Sequence, residues 1–280
     1  MRVLIVYASG GAGHRRAAEA IYDYLKENRP DLTLKMVDVL DRTNAIFRFD
    51  YTVGYSFLVK YAVSLWQFAF WLTEFKPFRF ISSPITTLVN NINSVAFIRY
   101  LIRKDPDVII STHFLPSDIA ALLKRRGKIK SRLITVITDF GVHPYWVAEG
   151  TDLYIVASEF TRDMLLKEGV SSEKVEVFGL PFHPRFLKQF DRCALAQELD
   201  IDPKKFTVLL MTGSFGTGPL EKIAQLLSFK CQILLVCASN DRLYNRMMKR
   251  NLENVKVFGF VENAEELMAE IGRASCRERV

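Results

Sequence analysis

The sequence predicts an α/β protein made of two Rossmann-like domains. Short apolar, β-branched runs alternate with amphipathic helical stretches along most of the 280 residues, and a glycine-rich strand-to-helix turn occurs once in each half. All four histidines also follow directly on an apolar run, at the end where parallel α/β sheets bind ligands. Alternation of this kind implies a parallel sheet covered by helices on both faces.

The strands are expected at Val3–Tyr7, Leu34–Val39, Val108–Ser111, Leu133–Thr138, Leu153–Val156, Val175–Phe178, Thr207–Met211, Ile233–Val236 and Val255–Phe258. Helices are expected at Arg15–Glu27, where Ala17, Ile21, Tyr24 and Leu25 share a face, at Ser117–Arg125, and at Ser158–Glu168 with Ser158 as N-cap. The segment 183–205 reads as a helix and turn, which places the boundary near Pro203: a first domain over 1–200, and a second, incomplete one over 204–270. The last ten residues, "IGRASCRERV", break the pattern. They resemble the translation of a sequencing adapter, so 271–280 is expected to be a non-native tail and the second sheet to stop after three strands.

A hydrophobic content of 49% is ample for buried cores, and a net charge of +7 favours anionic partners. Cys193, Cys231, Cys237 and Cys276 have no metal-ligand spacing and no disulfide framework, as expected of a reducing compartment. The first strand is expected to start at once, at Val3, with no signal peptide before it.

His14, His113, His143 and His183 follow "VYASGGAG", "VIIST", "VITDFGV" and "VFGLPF". In the first of these turns Gly10, Gly11 and Gly13 lack the G-x-G-x-x-G spacing and no Walker lysine follows, so the turn is either a tight connection or an anion cradle at a helix N-terminus. Gly213, Gly216 and Gly218 repeat the device in "LLMTGSFGTGPLEKI". Two such loops suit a reaction between a phosphate-bearing donor and an acceptor, with a histidine of near-neutral pKa as base. The triplets Asp105-Pro106-Asp107 and Asp200-Ile201-Asp202 precede strands and read as turn residues, and no metal site is expected.

The segment from Asn44 to Phe80 holds thirteen aromatic residues with Arg48, Lys60, Lys76 and Arg79 among them. Rings mixed with cations suit a membrane interface, while a pair of aromatic core helices is the alternative. Lys60 and Gln67 argue against a span, and the apolar runs argue against nucleic acid as a partner.

"SGGAGHRRAAEAI", "VITDFGVHPYW", "VEVFGLPFHPRF", "LLMTGSFGTGPLEKI" and "VKVFGFVENAEELM" together resemble the monogalactosyldiacylglycerol synthase and processive diacylglycerol glucosyltransferase family, from Met1 to about Glu270. The resemblance implies the GT-B fold and an inverting transfer of a hexose from a UDP-sugar to diacylglycerol, by a peripheral protein on the cytoplasmic face of the membrane. It implies His14 as catalytic base, supported by Asp139. Gly10, Gly11, Gly13, His143, Trp146, Trp66, Phe70 and Trp71 would meet the lipid acceptor. UDP would be held by Gly213, Ser214, Phe215, Gly216, Gly218 and Phe260, with no cofactor. A polyprenyl acceptor, or a non-catalytic nucleotide-binding protein on the membrane, are the other readings. Ala238-Ser239-Asn240 departs from the family, where a glycine often follows the strand.

Overall fold

A computed structural model describes residues 1–54, 76–269 and 273–276, with 57, 58, 62, 64, 68, 71 and 73 between them. The chain divides into two units, Met1–His183 and a second beginning at Pro184.

The first unit contains β1 (Arg2–Tyr7), α1 (Ala12–Asn28), β2 (Thr33–Asp38), α2 (Ala45–Phe49), α3 (Lys76–Asn93), α4 (Val95–Lys104), β3 (Val108–Ser111), α5 (Phe114–Arg125), β4 (Arg132–Val136), β5 (Leu153–Val156), α6 (Glu159–Lys167) and β6 (Val175–Val177). Its six strands are parallel in the order β2-β1-β3-β4-β5-β6, with Val6 registered against Val37 on one side and Ser111 on the other. β1 shows why the pattern folds this way. Side chains alternate across a strand, so Val3 and Ile5 pack with Ala18, Ile21 and Leu25 of α1. Leu4 and Val6 point to the opposite face, where Phe97 and Leu101 of α4 and Ile119 of α5 cover them. Each buried aliphatic side chain is worth about 1.5–3 kcal/mol over exposure, so the strand is held from both sides. Ser158 caps α6 as expected, its Oγ accepting from Thr161 N at 3.3 Å.

The second unit contains α7 (Arg192–Glu198), β7 (Thr207–Met211), α8 (Leu220–Leu227), β8 (Gln232–Val236), α9 (Asp241–Arg250), β9 (Val255–Phe258), α10 (Ala264–Ala269) and β10 (Arg273–Cys276). Its strands are parallel in the order β10-β7-β8-β9. Two expectations change here. The boundary lies at His183/Pro184 and not near Pro203, because Leu199 and Ile201, just after α7, pack against Leu209 and Leu234 of the second sheet. The edge of β7 is also not open: Arg273–Cys276, from the stretch expected to stand outside the fold, pairs with Val208–Met211.

The aspartates of both D-x-D triplets serve turns. Asp107 pairs with Arg2 at 3.0 Å, and Asp105, at φ 33°, ends α4 and accepts from Lys130 N at 2.9 Å. Asp200 pairs with Lys256, and Asp202 accepts from Lys204 N at 2.9 Å. Ala238 stands at φ 51°, a left-handed conformation that favours glycine. Ala238→Gly is therefore expected to stabilise the second unit by about 0.5–1 kcal/mol, relief of strain outweighing the added chain entropy. Denaturant unfolding checks this, and a lower midpoint contradicts it.

Candidate functional site

In the first sheet the chain steps from β1 to β2 on one side and then crosses back over β1 to place β3 on the other, which makes β1/β3 the topological switch point. Open α/β sheets bind ligands outside the carboxyl ends of the strands at such a point. The turn after β1 is anchored there by a hydrogen bond from Ser9 to Asp38 at the end of β2. Gly11 occupies the N-cap of α1 and no side chain caps the helix, so its first N–H groups point toward the crevice. A side chain at Gly10 would press on the Tyr51 ring at 3.3 Å, whereas positions 11 and 13 face open space.

His14 lies in the first turn of α1. Its Nδ1 is 3.0 Å from the Thr112 carbonyl oxygen after β3 and 2.6 Å from Thr138 Oγ1 after β4. Thr112 Oγ1 donates to the His14 carbonyl at 2.8 Å, tying the helix start to the neighbouring strand. His113 stands edge-on to the ring at a centroid distance of 4.5 Å. The connections that follow three neighbouring strands, β1, β3 and β4, thus bring His14, Thr112 and Thr138 together.

His113 is buried and caps α5, its Nδ1 accepting from Leu115 N at 3.0 Å. Burial first, and the neighbouring His14 second, hold its pKa well below 6.5. The unfolded chain therefore takes up a proton below pH 6.5 that the folded chain refuses, so stability is full above that pH and falls as pH drops. The expected loss is about 1.4 kcal/mol per pH unit below about 6.5, down to the depressed folded pKa. Urea unfolding from pH 7.5 to 5 checks this. His113→Asn keeps the cap and should flatten that dependence, and an unchanged slope contradicts the assignment.

Asp139 accepts a hydrogen bond from Trp146 Nε1 at 2.8 Å, and the Trp146 ring lies 6.0 Å from that of His14. Asp139 thus meets the indole, which in turn stands beside the His14 ring. Trp146 itself is fully buried, behind His14, His113 and Phe114. It forms a buried wall of the rim, where the resemblance implies a contact with the acceptor. His143 caps a short turn, accepting from Tyr145 N at 3.2 Å, and its Nε2 is 3.0 Å from Thr73 Oγ1, which links the aromatic segment to the rim. His183 pairs with Asp23 of α1 at 3.3 Å. Thr112, Thr138 and Tyr51 are the site residues that the sequence reading missed. Tyr51 packs on Gly10 and stands 5.8 Å from the His113 ring.

Trp66 and Phe70 lie outside the described residues. Trp71 is exposed and 6.0 Å from the Phe68 ring. Ile46, Phe49 and Val53 are exposed at helical spacing, as are Ile85, Leu88, Val89 and Ile92 along α3. Asn44 N donates to Asn93 O at 3.0 Å, bringing the start of α2 to the end of α3. Among the described residues, no helix is long and apolar enough to cross a membrane.

In the second unit, Gly213, Gly216 and Gly218 have φ of 70°, 55° and 99°. Asn240 Nδ2 donates to Gly216 O and Ser239 Oγ to Ser214 O, both at 2.8 Å, so the loop is pinned to the turn after β8. Phe215 is half-buried, and Phe260 is exposed on the turn after β9. A cleft of about 310 Å³ beside Gly218 and Asn240 is lined by Lys222, Arg246 and Arg250, the two arginines pairing with Glu221.

Residues 14–182 match the family model of monogalactosyldiacylglycerol (MGDG) synthase. The chain is 30% identical to a probable monogalactosyldiacylglycerol synthase of Nicotiana tabacum, over 95% of this chain and 52% of that protein. It is 24% identical to a processive diacylglycerol beta-glucosyltransferase of Staphylococcus epidermidis, over 96% of this chain and 68% of that one. The chain spans about half the length of the plant relatives it matches. Among solved structures, HepE of Anabaena in complex with UDP superposes with a TM-score of 0.57 at 14% identity, covering 98% of this chain and 73% of that one. A glycosyltransferase of Rickettsia africae gives 0.57 at 14%, covering 98% and 72%. These likenesses establish the fold as two Rossmann-like domains of GT-B type. With the family model covering more than half of its residues, the chain belongs to the monogalactosyldiacylglycerol synthase family.

Proposed function

We propose that the protein transfers a hexose from a UDP-sugar to diacylglycerol with inversion, working peripherally on the cytoplasmic face of a membrane. The observation that carries the reading is His14, an imidazole at the switch-point crevice whose Nδ1 is already engaged by Thr112 and Thr138. A diacylglycerol hydroxyl is a weak nucleophile, and a positioned base of near-neutral pKa removes its proton as it attacks the anomeric carbon. The departing UDP is held by the Gly213–Gly218 loop, whose N–H groups and helix N-terminus at α8 offset the charge that develops. The acceptor test supplies labelled UDP-glucose and UDP-galactose with vesicles containing diacylglycerol or a polyprenyl phosphate, using the longest reading frame that contains this sequence. Label in a diacylglycerol product is expected. Label on the polyprenyl lipid alone, or UDP binding with no transfer, overturns the reading.

The acceptor is reached from the bilayer through the exposed apolar side chains Ile46, Phe49 and Val53 and Ile85, Leu88, Val89 and Ile92 of α3, in a stretch of sequence that also carries basic residues. Apolar insertion supplies binding that salt does not screen, and cations add attraction to anionic headgroups. The protein is expected to float with anionic vesicles and to be partly released by salt. Replacing Ile46, Leu88 and Ile92 together with serine should weaken partition about 100-fold, because three inserted side chains contribute at least about 1 kcal/mol each and 1.4 kcal/mol is tenfold. Unchanged flotation would show that this face does not enter the membrane.

A further inference from the structure

We infer that Thr138, together with the Thr112 carbonyl, is a positioning element for His14 that fixes its neutral tautomer, with the proton on Nδ1 and the lone pair on Nε2. The inference deepens the proposed function and rests on it for its catalytic meaning, although the tautomer itself does not.

The carbonyl oxygen decides the tautomer. It only accepts, and at 3.0 Å from Nδ1 it would face another lone pair if that nitrogen were unprotonated. Nδ1 therefore carries hydrogen. Thr138 Oγ1, at 2.6 Å from the same nitrogen, acts as a second acceptor. The backbone is set by the same pair of loops, because Thr112 Oγ1 donates to the His14 carbonyl at 2.8 Å. Neither the ring nor the helix turn that carries it can rotate without breaking one of these bonds.

The consequence is chemical. A base that takes a proton at Nε2 becomes an imidazolium whose Nδ1–H is already directed at two oxygens, which favours the charged form and so raises basicity. The titratable neighbours are His113, edge-on at 4.5 Å, and Asp139 behind the Trp146 indole. His113 accepts Leu115 N at its own Nδ1, so its proton lies on Nε2 and the two rings hold opposite tautomers. With His113 kept neutral by its burial, a proton gained by this pair of rings settles on His14.

The test reads the ring directly, on this chain and without substrate. Nitrogen-15 NMR of histidine-labelled protein, with the four histidines assigned by single replacement, should show His14 protonated at Nδ1 and unprotonated at Nε2 when neutral. Thr138→Val preserves shape and removes the acceptor. It should raise the acid dissociation constant of His14 about tenfold, the usual effect of one hydrogen bond to a charged group, and Thr138→Ser should restore it. A His14 proton on Nε2 in the unaltered protein overturns the inference, and so does a Thr138→Val protein that titrates as the unaltered one does. If the valine variant fails to fold, the tautomer of the unaltered protein and the titration of the serine variant still decide. Failure of the functional reading looks different: the tautomer is found, yet the enzyme turns over normally without His14.

Discussion

Replacing His14 with alanine is expected to lower kcat by about 10²- to 10⁴-fold with little change in UDP affinity. That range is the usual cost of losing a general base, and the Gly213–Gly218 loop proposed to hold UDP lies in the other unit. The split between the two parameters matters. His14 sits in the first turn of α1 with two oxygens on Nδ1 and His113 edge-on, so its removal leaves a hole in the crevice wall and leaves the donor loop intact. The residual rate comes from whatever orientation and leaving-group stabilisation survive. The check is steady-state kinetics beside calorimetric titration with UDP. Turnover within threefold of the unaltered enzyme would remove His14 as base, and loss of UDP binding would mean that the residue holds the fold together.

Substituting Gly216 by alanine is expected to cost the second unit about 3 kcal/mol or more and to abolish UDP binding. Two independent constraints meet at this position. Its φ of 55° is left-handed, and a Cβ built there would lie 1.9 Å from the Cys237 carbonyl oxygen, a backbone atom in the turn after β8. Relief requires either the glycine loop or that turn to move, which breaks the Asn240 and Ser239 hydrogen bonds holding them together. Strained backbone and overpacking each cost about 1–3 kcal/mol. Because a domain of this size has only about 5–10 kcal/mol to lose, the second transition in denaturant should shift markedly while that of the first unit stays in place. Gly11→Ala is the contrasting case, since nothing lies within 4 Å of the added carbon. Equal effects of the two substitutions would refute this account of the loop.

The sheets were legible in the sequence for a simple reason. Strands buried on both faces read as unbroken apolar runs, and β8, with all five residues buried, is the plainest example. β10 was missed because "RASC" has no such run, and pairing with β7 is a tertiary effect that no local pattern announces. The domain boundary was misplaced for a related reason: the turn at Pro203 is locally conspicuous, while the packing of Leu199 and Ile201 on the second sheet is not. At the site, the position of His14 followed from its place after β1, but its partners did not. Thr138 was read as the end of a strand, whereas β4 stops at Val136 and frees the hydroxyl to reach the imidazole. Trp146 came from the resemblance alone, which does not say whether an indole meets the acceptor or is buried behind the rim. The exposed face of α3 went unremarked because Ile85, Leu88 and Ile92 at helical spacing look like an ordinary core stripe.

The most direct test of the central claim is the linkage formed in a single turnover. Labelled UDP-hexose, in which the sugar is α-linked, is mixed with diacylglycerol vesicles and excess enzyme from the longest reading frame containing this sequence; the lipid is extracted and digested separately with α- and β-specific glycosidases. Direct attack by a hydroxyl deprotonated at His14 inverts the anomeric carbon. The expected result is label in hexosyl-diacylglycerol released only by the β-specific enzyme, and its loss in the His14→Ala protein. An α-linked lipid product, or label recovered only as free hexose, would contradict the account.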